Sequence, residues 1–356
     1  MKVTAKNPTL WEIAQIRVAI YGGDAYHNQV IKIGNQGIGV ETVKKRNKII
    51  WISLASVVAV VLIGIFVAGM YFYNVAVARN KKDFINNNTT ISKTDPLRKQ
   101  KLWYRNVKKQ TWTETSATDN FKLDANYIKA DKKTNKTIVI AHGFGDDKSR
   151  MGAYAGMFHE MGYNILVPDD RGAGDSQGNY IGFGWPDRLD YLKWIKQVIR
   201  KNGSNSQIVM FGVSMGGATT MMVSGEKTPK QVKAFIEDCG YTSVYDEISY
   251  QAKQMYNLPT LPLVPAVSAI TKVRAGYGFK QASALKQVKK NKKPMLFIHG
   301  TNDKFVPTRM VYPLYKADNG PKKLVLFKGA AHAKSYQSNP KKYEKTVSDF
   351  LADYFN

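Results

Sequence analysis

The chain has 356 residues, 44% of them hydrophobic and 12% aromatic, enough apolar side chains for a sizeable core, which excludes disorder along its whole length. Its net charge of +26 favours polyanionic surroundings, but the lysines are dispersed, as over 286–293, and no nucleic-acid motif accompanies them, so nucleic acid is not an expected partner. A single cysteine, Cys239, rules out an internal disulfide, and no H-E-x-x-H or paired-cysteine spacing marks a metal site; no cofactor is expected.

Residues 1–48 carry scattered apolar residues and glycine-rich stretches, and no function is assigned to them. Between Lys48 and Arg79 there is no charged residue, and the nearly continuous apolar run is longer than the roughly 20 residues needed to cross a bilayer. The expectation is one transmembrane helix over 49–78, with Trp51 at one end and Tyr71, Phe72 and Tyr73 at the other as interfacial aromatics. Ala76-Val77-Ala78 resembles a signal-peptide cleavage site, which is the competing reading, although the run exceeds the usual 7 to about 15 apolar residues of a signal. Lys44, Lys45, Arg46 and Lys48 crowd the amino end, which orients the chain with that end inside and the larger part extracytoplasmic at the cell membrane. Residues 77–356 hold 45 basic and 24 acidic residues, so anionic lipid heads or cell-wall polymers are the polyanions expected to meet them.

Residues 79–101 are polar and read as a tether, and the folded domain is expected from 102 to 356. Trp112 to Ala117 and Phe121 to Tyr127 suit an antiparallel hairpin. Six short apolar runs follow, at 137–141, 163–168, 207–213, 232–237, 295–299 and 323–327. Helix-length segments lie between and after them, at 149–161, 185–200, 215–226, 307–315 and 341–354. Buried strand alternating with amphipathic helix predicts a mostly parallel sheet covered on both faces, with chemistry at the carboxyl ends of its strands.

At one such end, Phe211-Gly212-Val213-Ser214-Met215-Gly216-Gly217 joins an apolar strand to a helix-prone segment. A G-x-S-x-G in that setting is the pattern of a nucleophile elbow, in which the serine takes a strained conformation and the glycines allow close approach of neighbouring backbone. His142-Gly143-Phe144-Gly145 follows another strand, and the amides of Phe144 and Met215 are the expected oxyanion donors. Of five histidines, His27 precedes the membrane span, His159 falls in a helical pattern, and His142 and His299 each end a strand where an imidazole serves the turn. His332, in the small-residue loop Gly329-Ala330-Ala331-His332-Ala333, is left as the base. Asp303 is the expected acid partner, giving the order Ser, Asp, His, with Asp238 as the rival at the end of another strand. Asp169, Asp170 and Asp175 read as loop-structuring residues, and Cys239 as a small buried hydrophobe.

With His-Gly at 142, Arg-Gly-x-Gly-x-Ser at 171–176, the Ser214 elbow, Asp303 and His332, residues 102–356 resemble an α/β-hydrolase of the serine-hydrolase type. Glu237-Asp238-Cys239-Gly240-Tyr241-Thr242-Ser243 is similar to bacterial membrane-anchored members grouped with bile-acid acyltransferase-like and serine-aminopeptidase-like hydrolases. The resemblance implies an eight-stranded sheet, a Ser-His-Asp triad and hydrolysis of esters, thioesters or amides.

Residues 241–293 exceed what two core strands need between them and predict a helical lid, with Ser243 and Asp246 capping a helix through Tyr256. A surface helical pair that merely packs is the alternative. Tyr241, Tyr277 and Phe279 from this region, with Phe183 and Trp185, are the expected pocket walls. The expected activity is cleavage of a carboxylic ester of a small to medium acyl or aryl group through an acyl-enzyme. Peptide or amide cleavage by the same three residues is the alternative, and a non-catalytic protein binding anionic polymers is a third reading.

Overall fold

The computed structural model describes residues 29–34, 37–42, 44–80 and 90–355; side chains are described from Trp51 onward. His27 lies outside them, as does 81–89 of the expected tether. The chain divides into two units, Met1–Gly64 and Ile65–Asn356. In the first, β1 (Gln29–Gly34) and β2 (Gly37–Thr42) form an antiparallel hairpin with Gln29 opposite Thr42.

A helix, α1 (Lys44–Ala76), runs through the unit boundary at Gly64. Its stretch Trp51–Ala76 is long and apolar enough to cross a membrane by length and composition. Trp51, Val60, Ile63 and Phe66 are exposed, as lipid-facing side chains would be, but Gly69, Tyr73 and the following Val77 are buried.

The second unit is built on eight strands, β3 (Gln110–Thr115), β4 (Lys122–Ile128), β5 (Lys136–Ala141), β6 (Asn164–Pro168), β7 (Gln207–Val213), β8 (Val232–Asp238), β9 (Met295–Gly300) and β10 (Lys322–Phe327). They lie in the order β10-β9-β8-β7-β5-β6-β4-β3; β3 and β4 run antiparallel to their neighbours and the other six are parallel. The side chains of β5 alternate between two cores, Val139 and Ala141 on one face and Ile138 and Ile140 on the other, all inaccessible to solvent. Burial on both faces explains why these strands read as continuous apolar runs.

The helices are α2 (Arg98–Asn106), α3 (Gly152–Glu160), α4 (Asp187–Asn202), α5 (Met215–Ser224), α6 (Val244–Tyr256), α7 (Leu263–Ala275), α8 (Ala284–Val288), α9 (Val311–Ala317), α10 (Ser335–Ser338) and α11 (Pro340–Tyr354). Because β6 and β7 flank β5, the chain reverses its direction of winding there, and a crevice opens beyond the carboxyl ends of β5 and β7. The predicted core elements agree with this architecture.

The domain begins earlier than expected. Leu97, Gln100 and Tyr104 are buried, with α2 packed on α3, so 97–101 belongs to the fold and not to a tether. Nor does the chain stand off from α1: Ala78 bridges to Tyr180, and the Arg79 guanidinium donates to the carbonyls of Gly174, Ser176 and Gly178 at 2.8, 2.7 and 3.3 Å.

Candidate active site

β7 ends at Val213 and α5 begins at Met215, so Ser214 alone makes the turn, with φ 58° and ψ −117°. That backbone region is costly for a serine, on the order of 1–3 kcal/mol, and persists only where surroundings enforce it. Here the Ser214 N–H donates to the Asp238 carbonyl at 2.8 Å. A Cβ at Gly212 would strike the backbone of Gly216, and one at Gly216 would strike the Ala141 carbonyl, so both positions need glycine. The hydroxyl thereby stands at the crevice mouth.

His332 Nε2 lies 2.8 Å from Ser214 Oγ, and His332 Nδ1 lies 2.8 Å from Asp303 Oδ2. With the Nδ1 proton donated to the carboxylate, Nε2 has its lone pair free to accept from the serine hydroxyl. Burial alone would raise the Asp303 pKa, but hydrogen bonds from His299 and His332 hold it down at about 2. Oδ1 of the same carboxylate accepts from the N–H groups of Phe305 and Val306.

Asp238, the rival acid, faces another element: its carboxylate accepts from Tyr343 at 2.9 Å and Ser335 at 3.3 Å, and burial pushes its pKa up to about 6. His142 donates from Nδ1 to the Gly143 carbonyl and accepts from the Asp170 N–H, and His299 donates to the Val306 carbonyl, both serving turns as their positions implied. His159 meets the Lys129 carbonyl, and its ring lies tilted against Trp103. The Cys239 thiol is fully buried, and burial pushes its pKa well above the ordinary value, which keeps it protonated.

The loop after β6 is held by ions. Arg171, inaccessible to solvent, pairs with Asp190 through two nitrogens at 3.0 and 2.6 Å and reaches Asp119 at 3.0 Å. The Lys148 ammonium sits among Asp124, Asp169 and Asp175, so a side-chain cation already occupies this acidic cluster. Asp169 and Asp175 therefore structure the loop, as read from the sequence.

Ser214 opens into a pocket lined by Phe144, Phe183 and Tyr241, by α6 and α7, by Phe305 and Val306, and by Phe72, Val75 and Ala76 at the end of α1. Segment 241–293 roofs the serine through α6 and α7, and Ser243 caps α6 by accepting from the Asp246 N–H. Phe183 and Tyr241 are walls as expected, and the Tyr241 hydroxyl is fixed on the Phe183 carbonyl. Trp185, Tyr277 and Phe279 are not. Trp185 stacks under the Arg188 guanidinium, Tyr277 is buried with its hydroxyl on the Ile181 carbonyl, and Phe279 is wholly in the core. The side chain of Met215 faces a neighbouring crevice beside Arg171, while its N–H occupies the first position of α5, where the helix itself supplies no acceptor. Gly143 approaches the serine so closely that a Cβ there would lie 3.7 Å from Ser214 Cβ, which brings the Phe144 turn beside Ser214.

A family model described as serine aminopeptidase, S33, matches residues 132–255. Protein YqkD of Bacillus subtilis (strain 168) is 32% identical over 225 residues, which cover 63% of this chain and 74% of that protein. The chain belongs to the α/β-hydrolase superfamily. The hydrolase is also similar in fold to the Pyrococcus furiosus esterase Pf2001, with a TM-score of 0.57, 22% identity, and coverage of 76% of this chain and 100% of that one. A Pyrococcus horikoshii acylaminoacyl peptidase matches with a TM-score of 0.53 and 20% identity, covering 70% of this chain and 43% of that one.

Proposed function

We propose that this protein is a serine hydrolase that cleaves a carboxylic ester through an acyl-enzyme. The observation that carries the reading is the unbroken relay from Asp303 through His332 to Ser214, each link 2.8 Å, on a strained turn that opens into an apolar pocket. Ser214 Oγ attacks the ester carbonyl as His332 Nε2 takes its proton. The negative oxygen of the tetrahedral intermediate is met by backbone N–H groups, Met215 first and Phe144 as its partner across the crevice. His332 returns the proton to the departing alkoxide, leaving an acyl group on Ser214. A water, deprotonated by the same histidine, then releases the carboxylic acid.

The apolar lining supports an acyl or aryl ester over a charged peptide terminus. Amide cleavage by the same three residues is the second reading, favoured by the family description and by the buried Glu247 carboxyl within the pocket. α1 acts as an uncleaved anchor at the cell membrane, with the hydrolase domain outside. Burial of Val77 and the Ala78 bridge to Tyr180 support retention of the segment, since cleavage after Ala78 would remove packed structure. The basic surface suits anionic lipid or wall polymer beside that membrane.

The test is fluorophosphonate labelling of the full chain, with p-nitrophenyl ester and aminoacyl anilide hydrolysis measured in parallel. Labelling that Ser214→Ala abolishes, with ester turnover well above anilide turnover, is expected. A folded wild type that never labels would sink the serine-hydrolase reading, and anilide preference would replace ester by amide.

A further inference from the structure

The end of α1 belongs to two structures at once. It is the last part of the helix that the apolar composition assigns to a membrane, and it is a wall of the pocket that opens on Ser214. Gly69 lets the helix lie directly on α7: a Cβ there would come within 2.8 Å of Ile270 Cδ1 and 3.4 Å of the Ala266 methyl. Further along, the Phe72 ring meets Tyr256 of α6 edge to face, with centroids 5.1 Å apart, and Arg274 of α7 stacks over the Tyr73 ring at 4.9 Å. Both roof helices are thus tied to this one segment.

The pocket lining is nearly all hydrocarbon. Besides Ser214 its polar side chains are Glu247 and Gln251, hydrogen-bonded to each other at 2.7 Å, and the tyrosines Tyr241 and Tyr256. Outside, the lid keeps Met255, Tyr256, Leu261 and Val273 exposed, with Val273 at 87%, and Lys253, Lys272 and Arg274 stand among them. Exposed apolar side chains interspersed with cations, next to a membrane-length helix, form a face suited to an anionic bilayer surface.

We infer that the last turns of the anchor helix are a specificity-determining wall of the hydrolase site, with Phe72, Val75 and Ala76 receiving the acyl chain of an ester-bearing amphiphile that enters from the membrane. This inference rests on the serine-hydrolase and anchor readings above. The chain slides from the lipid phase along α1 into the space between α6 and α7, and its carbonyl reaches Ser214. Leaving one hydrocarbon surface for another, it avoids the water that a soluble ester would have to shed.

The experiment uses the full chain in phosphatidylcholine nanodiscs, with p-nitrophenyl acetate and p-nitrophenyl decanoate as probes and a small fluorophosphonate to report the serine. Wild type is expected to favour decanoate in kcat/KM. Ala76→Trp, which fills the wall, is expected to lower the decanoate-to-acetate ratio about tenfold or more, the scale set by a few methylenes of pocket contact. Phe72→Ala, which opens the wall and adds no bulk, is expected to move the chain-length optimum upward along the p-nitrophenyl series, and it carries the test should the tryptophan variant not fold. Leu62→Trp, on the exposed part of the same helix, is expected to leave the ratio alone. Labelled wild type that prefers acetate, or a chain-length profile that neither wall variant alters, overturns the inference while leaving the serine-hydrolase reading intact. Wild type that does not label removes the reading on which the inference stands.

Discussion

Asp303 presents Oδ2 to His332 Nδ1 at 2.8 Å and turns Oδ1 into its own loop, where the N–H groups of Phe305 and Val306 each donate at 2.9 Å. The carboxylate is therefore fixed by the backbone before it fixes the imidazole. Replacing Asp303 by asparagine is expected to lower kcat by about 10³- to 10⁴-fold, since the amide cannot hold the same histidine tautomer. Asp238→Asn should cost less than about tenfold in kcat, because Asp238 is bonded to Tyr343 and Ser335, away from the relay. Steady-state kinetics on both variants decides the matter; a larger loss in the Asp238 variant would move the acid to that position.

The depressed pKa of Asp303 also carries a stability prediction. Its folded value of about 2 lies below the ordinary 3.8, so the stabilisation is complete above the unfolded pKa and disappears as pH falls through the folded one. Acid unfolding of wild type and Asp303→Asn should therefore converge between about pH 4 and pH 2. Parallel curves across that window would mean that the carboxylate gains nothing from its two histidines.

Glu247 gives the opposite slope. It is buried in the pocket roof; burial pushes its pKa up to about 8, and among the described residues its Oε2 has no hydrogen-bond partner. The folded state holds a proton that the unfolded state releases above the ordinary 4.5, so stability falls as pH rises from there towards the folded value. Glu247→Gln should remove that decline, raising the melting temperature by several degrees at about pH 8 and by little near pH 5. Thermal unfolding of the pair at both pH values tests this, and an equal shift at the two would refute it.

Val77 follows the last turn of α1 and is inaccessible to solvent, whereas Val273 on α7 is 87% exposed. Val77→Asp should destabilise by about 3 kcal/mol or more, and Val273→Asp by less than about 0.5 kcal/mol. Denaturant unfolding in detergent would distinguish them. Equal effects would mean that the residue joining α1 to the domain contributes nothing to the packed core.

The sheet was legible because strands covered on both faces must be apolar throughout, as 207–213 is, and because the Ser214 turn demands glycine at Gly212 and Gly216. His332 could be reached by elimination among five histidines. The pocket walls were far less legible. Tyr277 and Phe279 are aromatic and lie in the lid segment, as a wall residue would, but nothing local tells that Tyr277 turns inward to the Ile181 carbonyl. Phe72, Val75 and Ala76 were concealed by their setting, since in a helix apolar on every side the packed face has no periodicity of its own. In α2 a signal was present: Leu97, Gln100 and Tyr104 recur at helical spacing beneath a polar composition that reads as tether.

The grip of Arg79 on Gly174, Ser176 and Gly178 has a geometric consequence. Three carbonyls around one guanidinium make Arg79 a third cation fastening the loop after β6, beside Lys148 and Arg171, so that loop cannot shift without breaking contacts to residues from three separate stretches of chain.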